Sequence, residues 1–263
     1  MPPVRVSART TAAASVEATP GGGFTMRLPE ADPSGYALAQ LDDYMELPRG
    51  QFRWQAPTTL RLRARLAAEE YAGTWGFGLW NDPFTASLGV AGTARRLPVL
   101  PNAAWFFFAS AHNHLALRDD QPGSGFLAAT FSSPRLPSLL LAPGLLGLPF
   151  LGWRQSSRWL RRLARGLIGG DGKSLDVDGR EWHEYAVEWS PEIVEFVIDR
   201  VKVFETEISP IGPLGIVIWL DNQFAAWRPN GTVSAGRLMN RPAMLEIAGL
   251  EALAGRDRAS GGH

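Results

Sequence analysis

Residues 60–66 read LRLRARL. Leu60, Leu62, Ala64 and Leu66 alternate with Arg61, Arg63 and Arg65, the period-two pattern of a strand with one face buried and the other in water. The three arginines are expected on a solvated sheet face. Other runs of strand length, rich in aromatic and branched residues, surround this one: YALAQLDDYMEL, TWGFGLW, AWFFFAS and GFLAATFS before residue 133, and WHEYAVEW, IVEFVIDR, KVFETEI, GIVIWLDN and MLEIAGLEA after residue 181. Pro, Gly, Asn and Asp punctuate them, and Ser190-Pro191 reads as a tight turn. Ten or more strands, one helix and no helix–strand alternation predict an all-β fold, a jelly-roll sandwich of two antiparallel sheets, rather than a doubly wound α/β domain.

The predicted sandwich spans residues 24–254, with an insertion at 134–172. Residues 1–23, small and polar and ending in Gly21-Gly22-Gly23, read as a flexible arm, and residues 255–263 as a flexible tail. The chain has 26 basic and 26 acidic residues, so no net field draws it to nucleic acid. It contains no cysteine, which removes disulfides, thiolate metal sites and cysteine nucleophiles from consideration. The N-terminal stretch lacks the apolar core of a secretory signal, so a cytoplasmic location is the default expectation.

WHEYAVEWSPEIVEFVIDRVKVFET resembles a stretch of concanavalin-A-like jelly rolls, in particular family-16 glycoside hydrolases. The matching residues are Trp182, His183, Tyr185, Glu188, Trp189, Ser190, Pro191, Phe196 and Asp199. TWGFGLWND and the terminal MLEIAGLEA are similar to earlier and final strands of that family, so the resemblance covers roughly residues 35–253. It implies a carbohydrate-active protein, either a hydrolase or a sugar-binding module. Read on their own, Trp182, Tyr185 and Trp189 are expected in the core and cleft walls.

The family's chemistry needs two carboxyl groups about 5–5.5 Å apart, and alternating acids on one strand supply them. The family's E-x-D-x-E or E-x-D-x-x-E spacing occurs nowhere in this chain. Trp105, Phe106, Phe107 and Phe108 stand where a polar catalytic strand is expected. Acids that could substitute lie near strand ends: Asp82, Asp119, Asp120 and Asp221. Asp82 and Asp221 closely follow tryptophans, in LWND and IWLDN, although Asn-Asp after a strand is also a plain turn signal.

His112 and His114 share a face of any extended segment and could move protons. A third ligand is not evident, so no metal is expected. No nucleophile elbow occurs, and GGDGKS at 169–174 lacks the spacing of a phosphate loop, so no cofactor is expected either. The catalytic candidates are therefore His112, His114, Asp82 and Asp221. Trp80, Trp105, Phe107, Trp219 and Trp227 are the expected ligand-binding residues.

The insertion opens with eighteen uncharged residues, Leu136–Trp153. Pro137, Pro143 and Pro149 recur through it with Gly144, Gly147 and Gly152, and each interior proline costs ~3 kcal/mol in a helix. A transmembrane span is therefore not expected. Residues 157–168 read as an amphipathic helix, capped by Ser156 or Ser157 and ended by Gly169-Gly170. Trp153, Arg158, Trp159, Arg161, Arg162 and Arg165 are its expected contacts with an anionic membrane surface. A lid over the cleft and a satellite core under a long loop are the competing uses.

Together these features predict a jelly roll that binds, and conceivably transforms, an apolar or lipid-like ligand in an aromatic cleft covered by a membrane-active insert. A carbohydrate-active protein, with relocated acids or as a binding module, is the alternative. An enzymatic form would run glycosidase-like or acid/base chemistry.

Overall fold

The computed structural model describes residues 4–30, 32–68, 70–83, 96–136 and 152–255. Two seven-stranded sheets and a separate hairpin make up the fold. In sheet A the spatial order is β1 (Ser7–Thr11), β4 (Leu38–Asp42), β13 (Gly215–Asp221), β6 (Thr74–Trp80), β7 (Ala103–Ala109), β8 (Gly125–Ser132) and β9 (Gly169–Ser174). In sheet B it is β12 (Val201–Thr206), β11 (Val194–Ile198), β10 (His183–Trp189), β5 (Thr58–Ala67), β16 (Ala243–Ala254), β3 (Gly23–Leu28) and β2 (Ser15–Thr19). β14 (Gln223–Trp227) and β15 (Val233–Arg237) form the hairpin. Every ladder between these strands is antiparallel. The one α-helix among the described residues, α1, spans Arg154–Leu167.

Alternation decides which side of each strand is dry. Along β5, Leu60, Leu62, Ala64 and Leu66 are buried between the sheets. Arg61 and Arg65 face out and pair with Glu188 and Glu246 on the neighbouring strands. Trp182 lies under the guanidinium groups of Arg63 and Arg65 on this outer face. Tyr185 and Trp189 are core residues, and Tyr185 packs edge-on against Phe77 and Phe106 of the opposite sheet at 4.9 and 5.0 Å. Such aromatic pairs add roughly 0.5–1.5 kcal/mol each beyond their buried area.

Three local expectations need correction. The expected N-terminal arm contains β1 and β2, which pair with β4 and β3 at the edges of the two sheets. Backbone ladders hold these strands, so their small side chains gave little hydrophobic signal. GGDGKS, which only mimics a phosphate loop, is strand β9 on the edge of sheet A, paired with β8. The helix begins earlier than expected, with Trp153 at its N-cap, and Ser157 lies buried within it rather than capping it. Residues 137–151 of the insertion and 256–263 of the expected tail lie outside the described residues. No helix among the described residues is long and apolar enough to cross a membrane.

Candidate functional site

The cleft lies on the outer face of sheet A. On β6, Trp75, Phe77 and Leu79 point into the core, which leaves Thr74, Gly76, Gly78 and Trp80 on the cleft side. Register then aligns the floor in rows. Gly76 sits between Trp219 of β13 and Phe107 of β7, and Gly78 between Val217 and Trp105. The glycines are needed for space: a Cβ on Gly76 would meet the Trp219 ring at 2.7 Å, and one on Gly78 would run into Trp105. Trp105 is the hub of the floor, with ring centroids 5.8 Å from Trp80, 5.9 Å from Phe107 and 5.5 Å from Trp219.

A cavity of about 500 Å³ rises from this floor. Leu38, Gln40 and Val217 extend the floor, while Leu115 and the hairpin residues Phe224, Ala225 and Ala235 wall it. Its volume is that of a site for one small molecule. The lining is overwhelmingly apolar and, among the described residues, carries one carboxyl group, Asp221 at the end of β13.

Asp221 is buried, and its Oδ1 accepts hydrogen bonds from the Thr74 hydroxyl at 2.8 Å and the Gln223 amide at 3.2 Å. The Thr74 hydroxyl in turn accepts from the Trp219 indole N–H at 2.9 Å. Burial pushes the Asp221 carboxyl up to about 7, against the opposing pull of these bonds and of Tyr36. Tyr36, itself buried beside this carboxyl, is driven well above the ordinary phenol range by that burial and by Asp221. The neutral acid is therefore well populated at neutral pH.

A second acid on the same face, Asp42, faces Val217 across the β4–β13 ladder. Arg9 pairs with it at 3.2 Å, and the Gln40 amide donates to it at 3.0 Å. Val217 lies four positions before Asp221, so at ~3.3 Å per residue the backbones carrying the two acids are offset by roughly 13 Å along the strand, and Asp42 does not line the cavity. Glycosidases place theirs at about 5–5.5 Å for retention and about 6.5–9.5 Å for inversion. β7 turns Trp105 and Phe107 toward the cleft and Phe106 into the core. No pair with glycosidase spacing faces the cleft among the described residues.

Of the expected catalytic residues, Asp221 alone lines this cavity. Asp82 is buried at the end of β6 with a left-handed backbone, φ 47°, and pairs with Arg96. Burial raises its carboxyl above the ordinary range, opposed by Arg96 and Arg49. Arg96 also donates to the carbonyls of Tyr44, Met45 and Leu47, and Arg49 to the carbonyl of Asp82, so this acid knots three loops together. His112 is exposed, beside Phe224. His114 is held below its ordinary range by burial, then by Arg161 and Arg228. Among the described residues no cluster of three or more His, Cys, Asp or Glu is placed to hold a metal.

Trp80, Trp105, Phe107 and Trp219 line the cavity together. Trp227 does not: its indole N–H donates to the Ser157 hydroxyl of α1 at 2.9 Å. Arg161, expected on an outward surface, is buried; it donates to the Trp227 carbonyl at 2.6 Å and pairs with Asp119 at 2.9 Å. Arg165 joins Asp119 at 3.3 Å, and the Arg161 hydrogen bond leads the causes that lower the Asp119 carboxyl. Asp120 pairs with Arg118 instead. Trp153, Trp159, Arg158 and Arg162 face outward. Tyr36, Gln40 and Thr74 completed the site without being anticipated. Only Thr74 had a sequence signal, as the first residue on the small-residue face of TWGFGLW, whose glycines leave room for neighbouring rings.

The chain is similar in structure to a family-16 endo-glucanase from Bacteroides ovatus in complex with G4G3G-2F-DNP. The two share 10% identity over 94% of each chain, with a TM-score of 0.52. The fold is that of the family-16 glucanases. A β-glucanase from Bacillus licheniformis is similar at 9% identity over 95% of this chain and 92% of its own, TM-score 0.47. An immunostimulatory antigen and pseudo β-1,3-glucanase of Mycobacterium tuberculosis is similar at 11% identity over 89% and 76%, TM-score 0.45. No protein-family model and no curated protein sequence matches the chain.

Proposed function

We propose that the cleft binds a small amphiphile, with an apolar body against Trp80, Trp105, Phe107 and Trp219 and one hydrogen-bonding group on Asp221. The observation that carries this reading is a lone carboxyl near pH 7 in an apolar cavity of about 500 Å³. At neutral pH such a group can donate or accept one hydrogen bond, which fixes the orientation of an otherwise greasy ligand. If turnover occurs, Asp221 is the group placed to carry a single proton to or from a bound apolar substrate. His112, His114 and Asp82 would then act only through rearrangement of the loops that now hold them.

The neutral fluorophore N-phenyl-1-naphthylamine tests this. It is expected to bind saturably and to lose at least about tenfold in affinity in Phe107→Asp, which puts an uncompensated charge in the floor. Laminaritetraose is expected not to displace it. A protein that ignores the fluorophore and binds the oligosaccharide contradicts the reading.

A second reading, glycan binding, is favoured by the shared fold with an endo-glucanase over 94% of both chains. Fold is the weaker warrant, because one fold hosts many chemistries. Release of reducing sugar from β-glucan, abolished by Asp221→Asn or Asp82→Asn, would reverse the order of the two readings.

A further inference from the structure

Helix α1 is mounted with its polar side inward. Ser157 and Arg161 are its buried residues, and both serve Trp227, one through the indole N–H and the other through the backbone carbonyl. Arg161 and Arg165 share Asp119. The side left to solvent carries Trp159, Leu163 and Leu167, spaced four residues apart and 57%, 48% and 39% exposed. Residues four apart on a helix lie on one face, so these form a continuous apolar stripe. Arg154, Arg158 and Arg162, also four apart, run along its edge; they are exposed and make no ion pair among the described residues.

A surface helix of a water-soluble protein ordinarily buries its apolar stripe against the core. Here the core side is polar, with Ser157 and Arg161 bonded to Trp227 and Asp119, and Trp159, Leu163 and Leu167 are left on the solvent side among the described residues. The basic edge selects what covers it. We propose that α1 docks on an anionic lipid surface, with Trp159, Leu163 and Leu167 in the headgroup–acyl boundary and its arginine edge on the lipid phosphates. Amphipathic helices with aromatic residues on one face and arginine beside them bind in that way. Each basic side chain near such a surface contributes about 1 kcal/mol, and salt screens it. The inference stands independently of the cleft reading.

The test is co-sedimentation of the full chain with phosphatidylcholine vesicles, with and without phosphatidylglycerol, at low and high salt. The expected result is binding only to the anionic vesicles at low salt. Arg158→Glu/Arg162→Glu and Trp159→Ser/Leu163→Ser should each weaken it at least about tenfold. All four positions are exposed, so both variants are expected to keep the parent's circular dichroism and melting profile. Absence of binding by the parent chain overturns the proposal, as does binding that neither variant changes. So does a parent chain that ignores vesicles but elutes as a dimer that Trp159→Ser/Leu163→Ser dissociates, because the stripe then belongs to a second copy.

Discussion

The cleft and helix α1 solve opposite problems with the same residue types. In the cleft, tryptophan and phenylalanine crowd around a single carboxyl, and burial moves that carboxyl to about 7. On α1, Ser157 and Arg161 are turned in and bonded to Trp227 and Asp119 while Trp159 and Leu163 face out. Sheet geometry explains the first case: Gly76 and Gly78 clear space for rings from the strands on either side, so an aromatic surface assembles from three strands. The second rests on one buried guanidinium. Arg161 holds the helix by the Trp227 carbonyl, and rotation to bury the leucines would break that bond and the Asp119 pair. What is apolar in a sequence therefore need not be what is buried, and the partner of each polar group decides.

The comparison can be broken most directly at Trp105. If the cleft floor is one packed unit, Trp105→Ala costs about 2 kcal/mol in urea denaturation, less than a fully buried aromatic because Trp105 is half-buried on the cavity floor. A loss under about 1 kcal/mol would mean that the rings lie on the sheet without supporting it.

Asp221→Asn comes next, and its signature is in pH. The folded carboxyl sits at about 7, above its ordinary 3.8, so the native state holds a proton that the unfolded chain releases. That stabilising contribution is full below pH 3.8, falls as pH rises through about 7, and is flat beyond, a total of about 4 kcal/mol at most. The asparagine variant should lose this slope, which chemical denaturation at a series of pH values would reveal. A parallel slope in both proteins would place the titration elsewhere.

Two adjacent arginines sharpen the contrast on the helix. Arg161→Ala strands the Trp227 carbonyl and should cost about 1–3 kcal/mol. Arg162→Ala, one residue on and exposed, should stay within about 0.5 kcal/mol in the same melts. Equal effects would mean that the helix is not anchored by its buried side.

The sandwich was legible because period-two alternation is written plainly in β5 and β10, and because β6 and β13 are short aromatic and branched runs of strand length. β1 and β2 were not, since their burial patterns are mostly exposed or intermediate and the backbone supplies their pairing. Within the site, the aromatic residues stood out by their density, and Asp221 by its place after Trp219. Arg161 was read with the other arginines of the helix because spacing alone cannot say which side of an amphipathic helix meets the protein. Asp119 and the Trp227 carbonyl decide that, and both come from distant parts of the chain.

The central claim is that Asp221 sits in an apolar cavity, and 13C NMR of its side-chain carboxyl tests it most directly. A titration of the free protein should place the midpoint near 7, and saturation with N-phenyl-1-naphthylamine should move it higher as the ligand excludes remaining water. A midpoint near the ordinary aspartate value, unmoved by the ligand, would contradict the account.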